Sequence, residues 1–176
     1  MKVLIVVDMQ NDFVDGALGS AQAQAIVPAV TAKIGDYRKN GGKIVFTLDT
    51  HGADYLNTQE GKKLPVPHCI RDTHGWQIID QIDTEGCIVL DKPSFGSCSL
   101  MEVLYNMEKV YGVDSIELVG LCTDICVISN AMLAKAQLPE VPVYVDASCC
   151  AGVTSESHET ALRAMEMCQI EIINSN

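Results

Sequence analysis

Cys126 has the neighbours that nucleophilic chemistry would need. The apolar run Ser115-Ile116-Glu117-Leu118-Val119 predicts a buried strand, Gly120 a tight turn, and Ile125 to Gln137 a buried helix. Thr123 is read as the helix N-cap and Asp124 as a favourable first-turn carboxylate. Cys126 then lies near the helix start, where aligned N–H groups favour thiolate over thiol. A thiol also needs a base for its proton and a positive charge for the anion left behind. Asp8, closing the apolar run Val3–Asp8, would accept the proton, and Lys92, in Asp91-Lys92-Pro93, would stabilise both ionised partners. Backbone N–H groups at Cys122 and Cys126 would receive a developing oxyanion. Each residue has a plainer reading: Asp8 as a helix cap, Lys92 as a solvated surface charge, Cys126 as a buried apolar residue.

A second set of chemically capable side chains borders the polar stretch from Thr50 to His74. Asp49-Thr50-His51, Glu60 and Pro67-His68-Cys69 offer imidazoles and carboxylates suited to a divalent transition metal, zinc foremost, or iron or manganese. Asp54 competes with Glu60 for the fourth ligand position. The plainer reading is a set of surface histidines. His74 and His158 fall outside any cluster and are read as surface residues, His158 in the first turn of its helix.

The elements that must position these groups alternate along the chain. Strands are predicted at Val3–Asp8, Lys43–Asp49, Cys87–Leu90, Ile116–Val119, Val141–Val145 and Ile170–Ile173. Between them, helical spacing appears at Ile26, Val30, Ile34 and Tyr37, where Pro28 would be tolerated only in the first turn. Further helices are predicted at Trp76–Ile82, Leu100–Tyr111, Ile125–Gln137 and Ser157–Met167. The loop from Thr50 to His74 is long enough to be functional. Wholly apolar strands separated by helices imply a six-stranded, mainly parallel sheet covered on both faces, a doubly wound, Rossmann-like α/β domain. Ligands of such sheets bind beyond the C-terminal strand ends. Asp8, Asp49, Lys92 and Cys126 all fall at or just past such ends, so they should meet at one rim.

Bulk composition narrows the partners. The 176 residues suit one domain over 1–176, and the formal charge of −11 argues against nucleic acid and anionic membranes. No apolar stretch is long enough to cross a bilayer, and the opening run is too short for a signal segment. The eight cysteines are scattered along strand and helix patterns, which suits free thiols in a reducing cytoplasm. Cys149-Cys150 is read as a pair of small residues behind a strand, without a vicinal disulfide.

The motifs together resemble the isochorismatase-like cysteine hydrolases. Val6-Val7-Asp8-Met9-Gln10-Asn11-Asp12-Phe13 with Gly16 resembles that family's N-terminal signature, and Asp91-Lys92-Pro93-Ser94-Phe95 its lysine motif. Gly120-x-x-Thr123-Asp124-x-Cys126-Val127 resembles its nucleophile motif; Asp146-Ala147-x-Cys149, His158 and Ala161-Leu162 resemble its C-terminal segment. The resemblance implies an Asp8, Lys92, Cys126 triad and a cis peptide between Leu121 and Cys122. It also implies a homo-oligomer acting on a small amide. Asp49-x-His51 and Pro67-His68-Cys69 resemble the metal site of the nicotinamidase branch. There one divalent ion per subunit would hold the pyridine nitrogen, and Phe13 would wall the ring pocket. One departure is Leu64-Pro65-Val66, where many members of that branch carry a tryptophan. The alternative within the family is hydrolysis of another amide or a carbamoyl compound.

Overall fold

The structure, a computed structural model, describes residues 1–175. β1 (Lys2–Val7) shows how the core is divided: Val3, Ile5 and Val7 enter one apolar layer, Leu4 and Val6 the other. A strand with both pleat faces apolar must be covered on both sides. β2 (Lys43–Asp49) splits similarly, Val45 to one layer and Ile44 and Phe46 to the other. With β3 (Ile88–Lys92), β4 (Ser115–Leu121), β5 (Val143–Ala151) and β6 (Glu171–Ile173) they form a sheet of order β3-β2-β1-β4-β5-β6. Every neighbouring pair is parallel. Chain order runs outward from β1 to β3, then resumes at β4 on the other side of β1. The β1–β4 boundary is therefore the switch point where ligands of such sheets bind.

One face is covered mainly by α2 (Ala21–Lys39), through Ala23, Ile26, Val30 and Ile34. The opposite face carries α4 (Cys98–Tyr111), α5 (Ile128–Gln137) and α6 (Ser155–Met167). The long helices start on side-chain caps: Ser20 accepts from Ala23 N–H, Ser97 from Leu100 N–H, and Thr154 forms a capping box with Ser157. Among the described residues, no helix is long and apolar enough to cross a membrane.

Several local expectations are corrected. Trp76–Ile82 forms no helix; it is a turn-rich segment whose Ile78 makes an antiparallel bridge to Gln10, so its apolar residues follow a loop path over the core. Pro28 lies inside α2 rather than in its first turn, because the Ser20 cap starts the helix well upstream. β3 extends through Lys92 and is an edge strand, with Ile88 and Val89 39% and 42% exposed rather than buried on both faces. β5 runs on to Ala151 across a register shift opposite Leu118–Gly120, so Cys149 and Cys150 lie within it and point to opposite core layers as free thiols. The segment after β2 has short helical pieces of its own, α3 (Gln59–Lys63) and a 3-10 turn at Tyr55–Asn57.

Candidate active site

Lys92 is the centre of the rim. Its ammonium is fully buried, 2.7 Å from Asp8 Oδ2, 3.2 Å from Asp49 Oδ1 and 3.3 Å from Cys126 Sγ. Asp8 follows β1, Asp49 ends β2, Lys92 ends β3 and Cys126 follows β4, so the parallel sheet itself brings the four together. Asp8 takes a left-handed backbone (φ 48°), and its other carboxylate oxygen accepts from the Thr47 hydroxyl at 2.7 Å. Burial pushes the Asp8 carboxyl up, with Lys92 pulling against it. For Lys92 burial opposes the charge, but Asp8, Cys126 and Asp49 outweigh it and hold the ammonium above the usual lysine range.

The thiol contradicts one expectation. Burial, reinforced by the Asp8 carboxylate, pushes the Cys126 thiol well above its ordinary range despite Lys92. A helix start is typically worth about 0.3–1 kcal/mol, under one pKa unit, whereas full burial moves a group by up to about 3–5 units. Burial is the larger effect, so the thiol is shifted up rather than down. Nor is Cys126 at a simple helix start: Thr123–Val127 forms a π-helical turn ahead of α5, and its N-cap is Cys122, with no side-chain cap. Thr123 is thus not the N-cap; its buried hydroxyl instead meets Nδ1 of His158 at 2.7 Å. That contact makes His158 half-buried rather than a free surface residue, while it stays outside the Asp49, His51 and His68 group.

The Leu121–Cys122 peptide is cis. Just before it, Gly120 has a φ of 114°, and a Cβ there would collide with the carbonyl oxygen of Val7. The turn carrying Cys126 can therefore lie directly against the end of β1. Burial, with Asp124 nearby, pushes the Cys122 thiol up to about 12, and it is the Cys126 sulfur that lies 3.3 Å from the Lys92 ammonium.

Beside this cluster, Asp49, His51 and His68 each present a ligand atom, all within 4.8 Å of one another. His51 Nε2 is buried without a hydrogen-bond partner, 2.9 Å from Asp49 Oδ2. His68 Nδ1 lies 2.8 Å from the Val66 carbonyl; donating there leaves Nε2 as a lone-pair donor facing Asp49. Glu60 Oε1 lies 3.7 Å from both Nε2 atoms, whereas Asp54 stands exposed at the start of the 3-10 turn and does not join them. An orphaned imidazole nitrogen converging with a second imidazole and a carboxylate fits a divalent transition ion. Burial would raise Asp49, but the adjacent His51 and His68 side chains and the charge of Lys92 outweigh it and hold the carboxyl well below its usual range.

A cavity of about 560 Å³ opens above both groups, lined by Phe13, Asp49, His51, His68, Cys122 and Cys126. The Phe13 and His68 rings lie 5.5 Å apart. Leu18, Leu64, Phe95 and Ile125 form the rest of the apolar wall. Trp76 is not part of it; its indole N–H donates to Thr50 at 2.8 Å.

Further residues that hold the site had no functional role in the sequence reading. Gln10, fully buried, donates to the Asp49 and Trp76 carbonyls and accepts from Asp49 N–H. Asp12 accepts from Cys69 N–H at 2.7 Å and fixes the loop carrying His68. Asn130 donates to the Cys126 and Phe95 carbonyls and accepts from Ser97 N–H, joining the Cys126 turn to the segment after Lys92. Asn130 had a visible signal: an amide among the Ala, Leu and Met residues of α5.

The Isochorismatase domain model matches residues 2–176. A nicotinamidase/pyrazinamidase from Mycobacterium tuberculosis is 31% identical over 193 residues, covering all of both chains. A nicotinamidase from Saccharomyces cerevisiae is 27% identical over 188 residues, covering 83% of this chain and 87% of that one. Among solved structures, the pyrazinamidase of Pyrococcus horikoshii in complex with zinc superposes with a TM-score of 0.85 at 27% identity, covering 99% of each chain.

Proposed function

This chain belongs to the isochorismatase domain family, and from that premise we propose that it is an amidohydrolase converting nicotinamide to nicotinate and ammonia. The observation that carries the reading is one buried ammonium within 3.3 Å of a carboxylate and a thiol, beneath a ring-sized apolar cavity that also holds the Asp49, His51 and His68 donors. The pyrazinamidase and nicotinamidase relatives support the substrate class. A single domain over residues 1–176 would contain the whole site.

The proposed chemistry starts from the thiol. Asp8 takes the Cys126 proton as the sulfur attacks the carboxamide carbon; its burial-raised basicity suits this transfer. Lys92 holds Asp8 and the Cys126 sulfur in place as the proton passes between them. N–H groups at Cys122 and Cys126 receive the oxyanion. Asp8 returns the proton to the amide nitrogen, the C–N bond breaks, and ammonia leaves a thioester on Cys126. Asp8 next takes a proton from water, whose oxygen attacks the thioester carbon. The C–S bond breaks, the acid is released, and the proton returns to sulfur. Phe13 and the aliphatic wall orient the ring. Asp49, His51 and His68, with Glu60 beside them, would hold a divalent ion such as zinc, which when bound supplies a Lewis-acidic position for the pyridine nitrogen.

The decisive measurement is ammonia release from nicotinamide by Cys126→Ala. Its kcat should fall roughly 10⁴-fold or more while the melting temperature barely moves. Wild-type turnover in that variant would refute the nucleophile.

A further inference from the structure

We propose that His158, acting through Thr123, is a positioning residue that sets the orientation of Cys126 for attack. This rests on the reading of Cys126 as the nucleophile. The π-helical turn at Thr123–Val127 closes on a Val127 N–H to Cys122 carbonyl bond of 3.0 Å, and its N-cap lacks a side-chain cap. Such a turn is a local departure from the α-helix and must be held by its surroundings. Asn130 holds the Cys126 carbonyl from α5, and the Asp124 carboxylate accepts from Val153 N–H at 3.1 and 3.2 Å. The Ser129 hydroxyl donates to the Ile125 carbonyl at 2.6 Å, and Thr123 ties the turn to α6. Its hydroxyl is fully buried and meets His158 Nδ1 at 2.7 Å.

The approach of α6 that allows this contact is built into the backbone. A Cβ on Gly152 would come within 2.9 Å of the His158 Cβ and 3.0 Å of its Cα, so only glycine lets the first turn of α6 come so near. Burial pushes the His158 imidazole below its usual range against the pull of Asp124 and Glu159, which favours a neutral ring able to share one proton with the Thr123 hydroxyl. His158 does not line the cavity. It acts on the reaction only through the turn.

The test compares full-length variants by nicotinamide kinetics and by peptide-resolved alkylation of Cys126 with iodoacetamide. Thr123→Val should lower kcat about 10- to 100-fold, the scale expected of a misplaced reacting group, with KM within about twofold of wild type. Alkylation of Cys126 should slow in parallel, and Thr123→Ser should retain both rates. His158→Leu should match Thr123→Val, His158→Asn, with an amide group near the Nδ1 position, should recover most of the loss, and the Thr123→Val/His158→Leu double variant should be no worse than either alone. Unchanged kcat and alkylation in the single variants, additive losses, or no recovery with asparagine would overturn the proposal. Should Thr123→Val fail to fold, the Leu and Asn pair at half-buried position 158 decides. A wild type inert toward nicotinamide would remove the substrate reading, while the alkylation comparison would still judge the role of His158.

Discussion

Two lysines in this protein each bridge two carboxylates, and they serve different ends. Lys92 is fully buried between Asp8 and Asp49, with a thiol as its third neighbour. Lys33, on α2, sits 2.7 Å from both Glu117 on β4 and Asp146 on β5, with its side chain 21% exposed. Around Lys33 the surplus acceptors are filled: Tyr37 donates to Glu117, while Ser148 and Asn174 donate to Asp146. That cluster bolts α2 to the sheet. Around Lys92 the partners include a thiol and a carboxylate shared with two imidazoles, all bordering the cavity. The Lys33 cluster also borders a cavity, through Lys33, Tyr37 and Glu117, so the difference lies in the partners: filled acceptors around Lys33, a thiol and two imidazoles around Lys92.

Breaking the lysines one at a time should separate the two roles. Lys92→Met strands two buried carboxylates, so it should cost about 3–5 kcal/mol in urea unfolding and lower kcat by about 10²–10⁴-fold. Gln10→Ala releases the backbone clamp on Asp49 and should weaken metal affinity by about 10–100-fold in a chelator competition, with a smaller change in unfolding. Lys33→Met should cost less than Lys92→Met, about 1–3 kcal/mol, since the site is partly hydrated, and should leave kcat within about twofold. A Lys33→Met enzyme that lost catalysis would erase the contrast.

The smallest effect concerns acid. Burial would raise the Asp146 carboxyl, but Lys33, Ser148 and Asn174 outweigh it and hold it below its unfolded value. A depressed carboxyl contributes stability that is complete above its unfolded pKa of about 4 and fades as pH falls through the folded value. The stability difference between wild type and Asp146→Asn should therefore be constant from about pH 6 to pH 8 and shrink below about pH 4. A difference that grew on acidification would reverse the assigned role.

Most of the fold was legible because its signals are local. The apolar runs at Val3–Val7, Lys43–Asp49 and Ser115–Val119 could be buried on both faces only in a parallel sheet, and the C-terminal rule then predicted where Asp8, Asp49, Lys92 and Cys126 would lie. Trp76–Ile82 misled because its apolar residues at near-helical spacing are equally compatible with a loop lying over the core. β3 misled because its apolar residues sit at an edge that the covering helices do not reach.

Sequence alone thus determined the strand-end positions, the residue types able to react and the order of the motifs. Only the tertiary structure decided which acids pair with which lysine, since Lys33 is far in sequence from Glu117 and Asp146 and no local period links them. It also decided the direction in which the Cys126 thiol shifts, because burial depth is a property of the packed sheet and outweighs the helix start that sequence could see. His158 became visible the same way: its partner Thr123 lies in another element, and the contact exists only because α6 packs over the turn carrying Cys126.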